Sequence, residues 1–558
     1  MTRSPYLLMF LLAVLAGCPS PEDPRGPDDG LVDGGDTSND DPWADDDDAA
    51  DDDDAADDDD ASGDDDDATW GDDDDASDDD DASGDDDDAV GDDDDATDSV
   101  GEDGEDATCD EFLEDSVLYF LSADDSNSQA DGAHLRALIE GGNPLSWGAP
   151  YRPYELFNYY DWDFPSAPPG QLTITPQMRA DDDDPDLYSL AIGVTAPAMS
   201  DATRPEFNLT FAVDTSCSMA GPGMQNEQAA MQAIASQLQA GDIVSVVEWS
   251  SSNAVMIDSR AVTGPSDSVL ANYINGLSHG GGTNLSGGLA AAYSQADANY
   301  DPEKLNRVVL ISDGGANINT ADGQLIADCA APVPAPNPID PPGPGIYLMG
   351  IGTPPHASYN DVLMDDVTDL GKGAYLYIDE PSEAWAQLTG TRFLANMAVA
   401  ARNVRVEMTL PPGFSVEQFY GEQISTNPAE VEPQHLGPND SMMYAQTVRD
   451  CSPDAASQDH EFTFTVTWEE LGTGDDMSQT VTATTSELLS SGARQLEKLS
   501  ALTAYVDAAN DVYFLPIGQR RDYMDGVWDE VNAVLSAFPG DSDLQEVLYL
   551  TGLLRNRF

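Results

Sequence analysis

The amino-acid sequence predicts an α/β fold: a doubly wound, mainly parallel β-sheet, with a smaller β-rich and helical accessory region beside it and a disordered acidic linker before it. Three observations predict this. Continuous apolar runs of strand length alternate with helical patterns in the middle of the chain. Later runs alternate apolar and polar residues, as half-buried strands do. Eight early blocks of four aspartates supply 32 negative charges of a formal net charge of −88.

Residues 1–17 have the pattern of a secretory signal peptide. Arg3 precedes an apolar run from Tyr6 to Leu15 that is too short to cross a bilayer as a helix. The run ends in Leu-Ala-Gly-Cys, which resembles the bacterial lipoprotein signal. That resemblance implies cleavage before Cys18 and a lipid on its sulfur. Pro19, in place of aspartate, favours the outer membrane or cell surface of a bacterial envelope. An ordinary signal peptide with an incidental cysteine is the alternative.

Residues 18–107 form the acidic linker, whose aspartate blocks run from Asp45 to Asp95. With so little apolar surface we expect this segment to be disordered and extended by self-repulsion. Clustered carboxylates attract calcium, but a calcium loop needs alternating ligands around a glycine turn, so we favour a spacer. With 20 Lys and Arg in all, the composition argues against binding to nucleic acid.

Residues 108–205 form an N-terminal extension, in which we expect a helix near His134–Glu140 and a strand at Leu187–Val194. The aromatic-rich stretch Arg152–Pro165 could grip a sugar or a peptide, but packing of a small domain is the favoured interpretation. Four cysteines beyond the signal would lie in an oxidising compartment, where one or two disulfides of undetermined connectivity are expected. They are Cys109, Cys217, Cys329 and Cys451.

Residues 206–395 carry the strand and helix alternation. A helix is predicted where Met231, Ile234, Ala235 and Leu238 share one face, before Gly241. The unbroken apolar strands indicate a parallel sheet covered on both faces, and such sheets bind ligands beyond the carboxyl ends of their strands. The predicted strands are Leu209–Val213, Ile243–Val247, Val308–Ile311 and Ile346–Ile351.

Residues 396–558 form a C-terminal extension. The alternating stretches Val404–Leu410 and Phe462–Trp468 predict half-buried strands of a small antiparallel sandwich. Two helical stretches follow, Ser491–Val512 and Arg521–Phe558. We expect these helices to dock on the core of this chain, although binding of a partner is the alternative.

Oxygen-bearing side chains gather at the predicted carboxyl ends of the central strands. One aspartate and two serines follow the first strand, a threonine lies in a glycine-rich loop, and a second aspartate follows a later strand. Oxygen ligands without histidine or thiolate suit Mg²⁺ or Mn²⁺ better than Zn²⁺ or copper. We call these five residues the metal set: Asp214, Ser216, Ser218, Thr283 and Asp313.

The spacing of the metal set resembles the metal-ion-dependent adhesion site of the von Willebrand factor type A domain, a Rossmann-like fold. The resemblance implies that the three hydroxyls bind Mg²⁺, or Mn²⁺ or Ca²⁺, while the two aspartates act directly or through water. An open position would accept a carboxylate from a protein partner. Cys217 stands where the family commonly has glycine. The segments NYYDWDFP and Tyr359–Ala384 are similar to bacterial lipoproteins that carry such a domain between two extensions.

We expect no enzymatic activity. The stretch Gly276–Gly280 matches the nucleophile motif G-x-S-x-G, but a helical pattern precedes it where a strand is needed. A metal-dependent hydrolase would need a general base, and the metal-set motifs contain no His or Glu. Two hypotheses remain: an exported, membrane-tethered module that binds a partner protein through the metal, or an envelope assembly protein that the metal only stabilises.

Overall fold

A computed structural model describes residues 115–558, apart from 125–126, 146–149, 182–183, 266, 316–319, 335–342, 356–358, 453–458, 472 and 491–493. The predicted signal peptide, the predicted lipidation site at Cys18, the predicted acidic linker and Cys109 lie outside the described residues. Within the described part, no helix combines the length and the apolar character that crossing a membrane requires.

The described residues form 16 strands and 13 α-helices. The strands are β1 (Val117–Ser122), β2 (Thr173–Ala180), β3 (Leu187–Thr195), β4 (Phe207–Asp214), β5 (Ile243–Trp249), β6 (Asn253–Ala261), β7 (Leu305–Ser312), β8 (Tyr347–Gly352), β9 (Tyr375–Tyr377), β10 (Ala401–Leu410), β11 (Phe414–Phe419), β12 (Gln423–Ser425), β13 (Gln434–Leu436), β14 (Ser441–Asp450), β15 (Glu461–Glu470) and β16 (Asp476–Thr484). The helices are α1 (Ala130–Glu140), α2 (Pro153–Tyr159), α3 (Pro222–Gln237), α4 (Ser268–Gly276), α5 (Leu285–Ala298), α6 (Thr320–Ala330), α7 (Asp361–Gly371), α8 (Pro381–Gln387), α9 (Gly390–Met397), α10 (Thr485–Ser490), α11 (Arg494–Asp511), α12 (Ile517–Ala537) and α13 (Ser542–Arg555).

The central sheet has six strands in the order β6-β5-β4-β7-β8-β9. All neighbours are parallel except the edge strand β6, which pairs with β5 in an antiparallel hairpin. Every residue of β4 is buried, because helices cover both of its faces. This confirms the predicted doubly wound α/β class. The edge strand β6, whose side chains are mostly exposed, was not predicted.

Two apolar cores lie against the two faces of this sheet. On one face, Phe207, Phe211 and other strand residues pack against α3, α4, α8 and α9. On the other face, α5, α6 and α7 join a larger cluster that also includes α1, α2 and the three C-terminal helices. The helices α11, α12 and α13 therefore dock on the chain's own core, as the sequence analysis expected.

The β-sandwich contains strands from both ends of the described chain. One antiparallel sheet has the order β12-β1-β10-β15-β16, with β13 paired to β10, and the other has the order β11-β14-β3-β2. The alternating residues of β10 and β15 face the core between the two sheets. The N-terminal strand β1 pairs directly with β10, which lies almost 300 residues later. The N-terminal and C-terminal extensions thus supply strands to the same β-sandwich.

The last predicted helical stretch is two helices. The sequence pattern predicts a single helical segment over Arg521–Phe558, and this prediction is wrong: α12 ends at Ala537 and α13 begins at Ser542. Pro539 and Gly540 lie in the interruption. Proline lacks the amide hydrogen that a helix interior needs, and glycine favours a turn. Asp541 then caps α13, its side chain accepting hydrogen bonds from two backbone amides of the first turn.

Arg136 of α1 joins three parts of the chain. Its guanidinium is 2.8 Å from carboxylate oxygens of Asp379 and Glu383, near the end of the central sheet, and 3.0 Å from Glu546 of α13. The Arg136 side chain is mostly buried, so removal of its acidic partners would leave a costly uncompensated charge. This network holds α1 and α13 beside the same edge of the central sheet.

Candidate metal centre

The sheet topology brings the ends of two strands together. β4 and β7 are parallel neighbours, with Val213 opposite Ile311. Asp214 ends β4, and Asp313 directly follows β7, so both aspartates lie at the carboxyl edge of the sheet. This is the edge at which parallel sheets bind ligands.

Asp214 is fully buried and accepts two hydrogen bonds. The Ser216 amide donates to Oδ1 at 2.9 Å, and the Ser312 hydroxyl donates to Oδ2 at 2.7 Å. Burial nevertheless raises the pKa of Asp214 to about 6, and the nearby charge of Asp313 acts in the same direction. The donated hydrogen bonds offset only part of the cost of burial. A cation beside Asp214 would therefore stabilise its charged form.

Ser216 and Ser218 present their hydroxyls side by side. The two Oγ atoms are 2.9 Å apart. A short 3-10 turn at Cys217–Met219 follows Ser216, and it aligns the two side chains. Ser216 is buried and Ser218 is exposed. The pair therefore reaches from the buried aspartates toward solvent.

Asp313 faces the same space as Ser218. Its Oδ1 accepts a hydrogen bond of 3.0 Å from the Gly315 amide. A Cβ atom on Gly315 would lie 2.9 Å from Asp313 Oδ1 and 3.5 Å from Ser218 Oγ. Glycine at position 315 thus leaves open a small space that is lined by a carboxylate and a hydroxyl. Such a space fits a small ion.

Thr283 lies in an exposed loop that is attached to the Asp214 loop through the backbone. The Gly280 amide donates to the Thr215 carbonyl at 2.7 Å, and the Cys217 amide donates to the Gly281 carbonyl at 3.2 Å. No hydrogen bond joins the Thr283 hydroxyl to another described residue. Four members of the metal set are thus linked by side-chain contacts or a shared cavity, and Thr283 is placed near them by its loop.

The donor atoms fit a hard divalent cation. They are two carboxylates and three hydroxyls, which are the ligand types of Mg²⁺, Mn²⁺ and Ca²⁺. The metal would supply positive charge between two aspartates that otherwise repel each other. Asp214, Asp313 and the three hydroxyl residues would hold it.

Two residues next to the metal set were missed by the sequence analysis. Ser312 donates to Asp214, and its place directly before Asp313 could have signalled this role. Glu227 of α3 is fully buried, and burial, followed by the charge of Asp214, raises the pKa of its carboxyl well above the ordinary value. The sequence shows that a glutamate lies on the buried face of a predicted helix. It does not show that Asp214 is the neighbour of this glutamate.

A second group of potential ligands lies at the edge of the sheet beside β9. Asp131, His134 and Asp361 offer ligand atoms within 4.8 Å of one another. Arg152 already supplies positive charge there, at 3.6 Å from Asp131 and 2.6 Å from Asp361. The guanidinium therefore accounts for this acidic cluster without a metal. Asp131 and His134 both lie on α1, but Asp361 comes from a distant part of the chain, so sequence spacing alone does not reveal the cluster.

The described cysteines differ in their oxidation state. Cys217 and Cys451 are each disulfide-bonded, and Cys329 is a free thiol. A disulfide at Cys217 restrains the loop that carries Ser216 and Ser218.

The Gly276–Gly280 stretch follows helix α4 and not a strand, which confirms that it lacks the setting of a nucleophile elbow.

Comparisons with known proteins identify the middle of the chain. Residues 209–316 match the family model of the von Willebrand factor type A domain. Among curated proteins, the chain is similar to the uncharacterized protein YfbK of Escherichia coli K12, with 23% identity over 297 residues. This match covers 52% of the chain and 49% of YfbK. The chain thus spans about half the length of the curated relative that it matches.

Several solved structures are also similar to this chain. A von Willebrand factor type A protein from Catenulispora acidiphila has 14% identity and a TM-score of 0.42, covering 65% of this chain and 86% of that chain. The ArnB paralog VWA2 from Sulfolobus acidocaldarius has 13% identity and a TM-score of 0.37, covering 69% and 97%. The mussel byssus protein PTMP1, solved with zinc in its adhesion-site motif, has 15% identity and a TM-score of 0.26, covering 33% and 46%. TM-scores this low add no argument to the family match.

Proposed function

This chain contains a von Willebrand factor type A domain, and we propose that the domain binds a protein partner through a divalent metal held by the metal set. Domains of this type generally mediate interactions between proteins and bind divalent metals. Mg²⁺ is the proposed ion, with Mn²⁺ and Ca²⁺ as alternatives. The partner would contribute an aspartate or glutamate carboxylate to the open position. No catalytic step is proposed.

The observation that carries this proposal is the burial of Asp214 beside Asp313. Two carboxylates at 0% and 3% exposure lie at one edge of the sheet, and neither forms an ion pair with Lys, Arg or His among the described residues. Leaving two neighbouring acids buried and without a countercharge is costly. A divalent cation removes that cost.

The partner would approach from the side of the exposed hydroxyls. Ser218 and Thr283 are exposed, while the two aspartates lie beneath them. A metal held among these groups would keep a side open to solvent. A carboxylate of the partner is the group that such an ion prefers to add.

We propose further that the domain is exported and tethered. Cleavage before Cys18 and lipidation of its sulfur would anchor the chain to the bacterial envelope, at the outer membrane or cell surface. The acidic linker, residues 18–107, would then hold the domain away from the membrane, because a charged linker extends itself. The extension 108–205, the domain 206–395 and the extension 396–558 would move as one tethered body. The shared sandwich supports that grouping.

The alternative is a structural role, in which the metal only stabilises the domain and the extensions perform the assembly. It is favoured by the shared apolar core in which helices of both extensions pack against the central sheet. Measurements of partner binding and of protein stability, made on the same variants, distinguish the adhesion function from the structural one.

The test is capture of a partner from envelope extract by the full chain, with Mg²⁺ or with EDTA. Asp214→Ala and Thr283→Ala are compared with wild type, and Thr283→Ser is the matched control that keeps the hydroxyl. We expect one acidic-surfaced protein to bind wild type and Thr283→Ser only with Mg²⁺, and to be lost in both alanine variants. Thr283→Ala should leave the melting temperature nearly unchanged. Equal capture in every arm would refute the adhesion function and favour the structural one.

A further inference from the structure

A cavity of about 280 Å³ lies at the other end of the central sheet, where β7 and β8 begin. We call it the amino-end cavity. Its lining joins the central sheet to the sandwich and includes Arg307, Tyr347, Val399, Arg402 and Leu471. Arg307 is six positions before Asp313, so the cavity lies roughly 20 Å from the metal set. It is a separate feature of the domain.

Arg307 is a buried cation with no acidic partner among the described residues. It is 4% exposed. Its Nε atom donates to the Met397 carbonyl at 3.0 Å, and the guanidinium carbon lies 4.6 Å from the centre of the Tyr347 ring. The two Nη atoms donate no hydrogen bond to any described residue, although the side chain lines the cavity. Burial of an unpaired charge is costly unless a ligand compensates it.

Among the described residues, none of the other charged groups around the cavity forms an ion pair with Arg307. Arg402 is also buried and pairs with Glu469, but its Nε atom has no hydrogen-bond partner among the described residues. Lys304 pairs with Glu206, which is about half exposed. Glu303 lies on the exposed rim. Among the described residues, Arg307 is thus the one cavity-lining cation that has no carboxylate partner.

A histidine also lies beside Tyr347. The partly buried His435 contacts the Tyr347 ring edge-on at 5.1 Å. Its pKa is lowered to about 3, by burial first and then by the positive charges of Lys372, Arg307 and Arg402. His435 is thus neutral at physiological pH, chiefly because it is buried.

We propose that the amino-end cavity binds a small carboxylate with an apolar body, whose oxygens accept hydrogen bonds from the Nη atoms of Arg307. The planar guanidinium matches a carboxylate in a two-bond arrangement. Pro302, Pro344, Val399 and Leu471 supply the apolar wall. A dry cavity of about 150 Å³ is enough to hold benzene, so this cavity has room for an aromatic or short aliphatic acid.

The test is isothermal titration calorimetry of the full-length chain, including any processing that occurs during expression. Benzoate, benzamide and inorganic phosphate are titrated separately, in a buffer that contains EDTA. We expect saturable benzoate binding at concentrations up to about 10 mM and at least about tenfold weaker binding of the neutral benzamide. Benzamide binding as tightly as benzoate, or no benzoate binding, would overturn the proposal. Phosphate binding more tightly than benzoate would also overturn it, since phosphate has no apolar body.

Two kinds of variant locate the site. Arg307→Met should abolish benzoate binding. Because this buried side chain also contributes to packing, a second pair tests the cavity from its mouth: Leu471 is 38% exposed, so Leu471→Glu and Leu471→Gln should both fold. The added charge should weaken benzoate binding about fivefold, whereas the neutral control should stay within about twofold of wild type. Equal affinities for this pair would refute the assignment.

Discussion

The two ends of β7 carry opposite chemistry. At its carboxyl end, Asp313 lies beside the buried Asp214 with no cation among the described residues. At its amino end, Arg307 is buried with no carboxylate partner in the part of the chain that the structure describes. Each end therefore carries a buried charge that no described residue of opposite charge pairs with. The difference in sign predicts the difference in ligand: a divalent cation at one end and a carboxylate at the other.

The contrast follows from how the chain enters and leaves the sheet. The loops after β4 and β7 meet at the carboxyl edge, so residues almost 100 positions apart become neighbours. At the amino edge, the sheet meets the sandwich strand β10, which brings Arg402 near Arg307. Buried charges that no described residue pairs with thus mark the two places where we propose that a ligand binds.

The largest effect should come from removing the buried carboxylate. We expect Asp214→Ala to weaken Mn²⁺ binding by at least about 100-fold, since even the loss of an outer-shell partner costs 10 to 100-fold. The matched control is Asp258→Ala, because Asp258 is exposed on β6. Titration calorimetry with Mn²⁺ measures both. Similar affinities for the two variants would show that the metal set does not bind the ion.

Stability without metal should depend on pH through Asp214. Its pKa in the fold is about 6, above the ordinary value near 4, so the folded state binds the proton more tightly than the unfolded state. The free energy of unfolding should therefore fall by roughly 2 to 3 kcal/mol as pH rises from about 4 to 7. Denaturant unfolding in EDTA should show this loss in wild type.

Asp214→Asn is the control for this titration, because asparagine does not ionise. The difference in unfolding free energy between wild type and Asp214→Asn should vary with pH in EDTA and become nearly constant in saturating Mg²⁺. Parallel pH profiles in EDTA would mean that Asp214 is not the group responsible.

A smaller effect should come from filling the space between Asp313 and Ser218. The Cβ of Gly315→Ala would lie 2.9 Å from Asp313 Oδ1, so the carboxylate must shift. We expect metal affinity to fall about tenfold, which corresponds to about 1.4 kcal/mol. In Gly276→Ala, the control, the new Cβ meets no atom within 4 Å. An unchanged affinity in Gly315→Ala would place the ion elsewhere.

Local patterns were enough to predict the central sheet. β4 and β7 are buried on both faces, so they read as continuous apolar runs whose ends can be located within a few residues. β6 was missed because its side chains are mostly exposed and lack that pattern. The pairing of β1 with β10 was also beyond prediction, since nothing in either strand specifies a partner so far along the chain.

The candidate sites also combine features that the local sequence predicts with features that depend on the fold. Asp214, Ser216 and Ser218 could be predicted because close spacing after a strand puts them on one loop. The role of Gly315 as an open space, and the lack of an acid beside Arg307, depend on which residues meet in three dimensions. Sequence identifies the groups that carry charge, whereas only the fold reveals which charges are left unpaired.

The smallest expected effect tests whether the two ends are independent. Lys304 lies at the amino end and pairs with the half-exposed Glu206. It is farther from the metal set than Arg307, hence well beyond the screening length of about 8 Å at physiological salt. Lys304→Gln should therefore change Mn²⁺ affinity by less than about twofold and stability by less than about 1 kcal/mol. A fivefold change in Mn²⁺ affinity would show that charge at one end of β7 is felt at the other, and the two sites would then have to be treated as one coupled system.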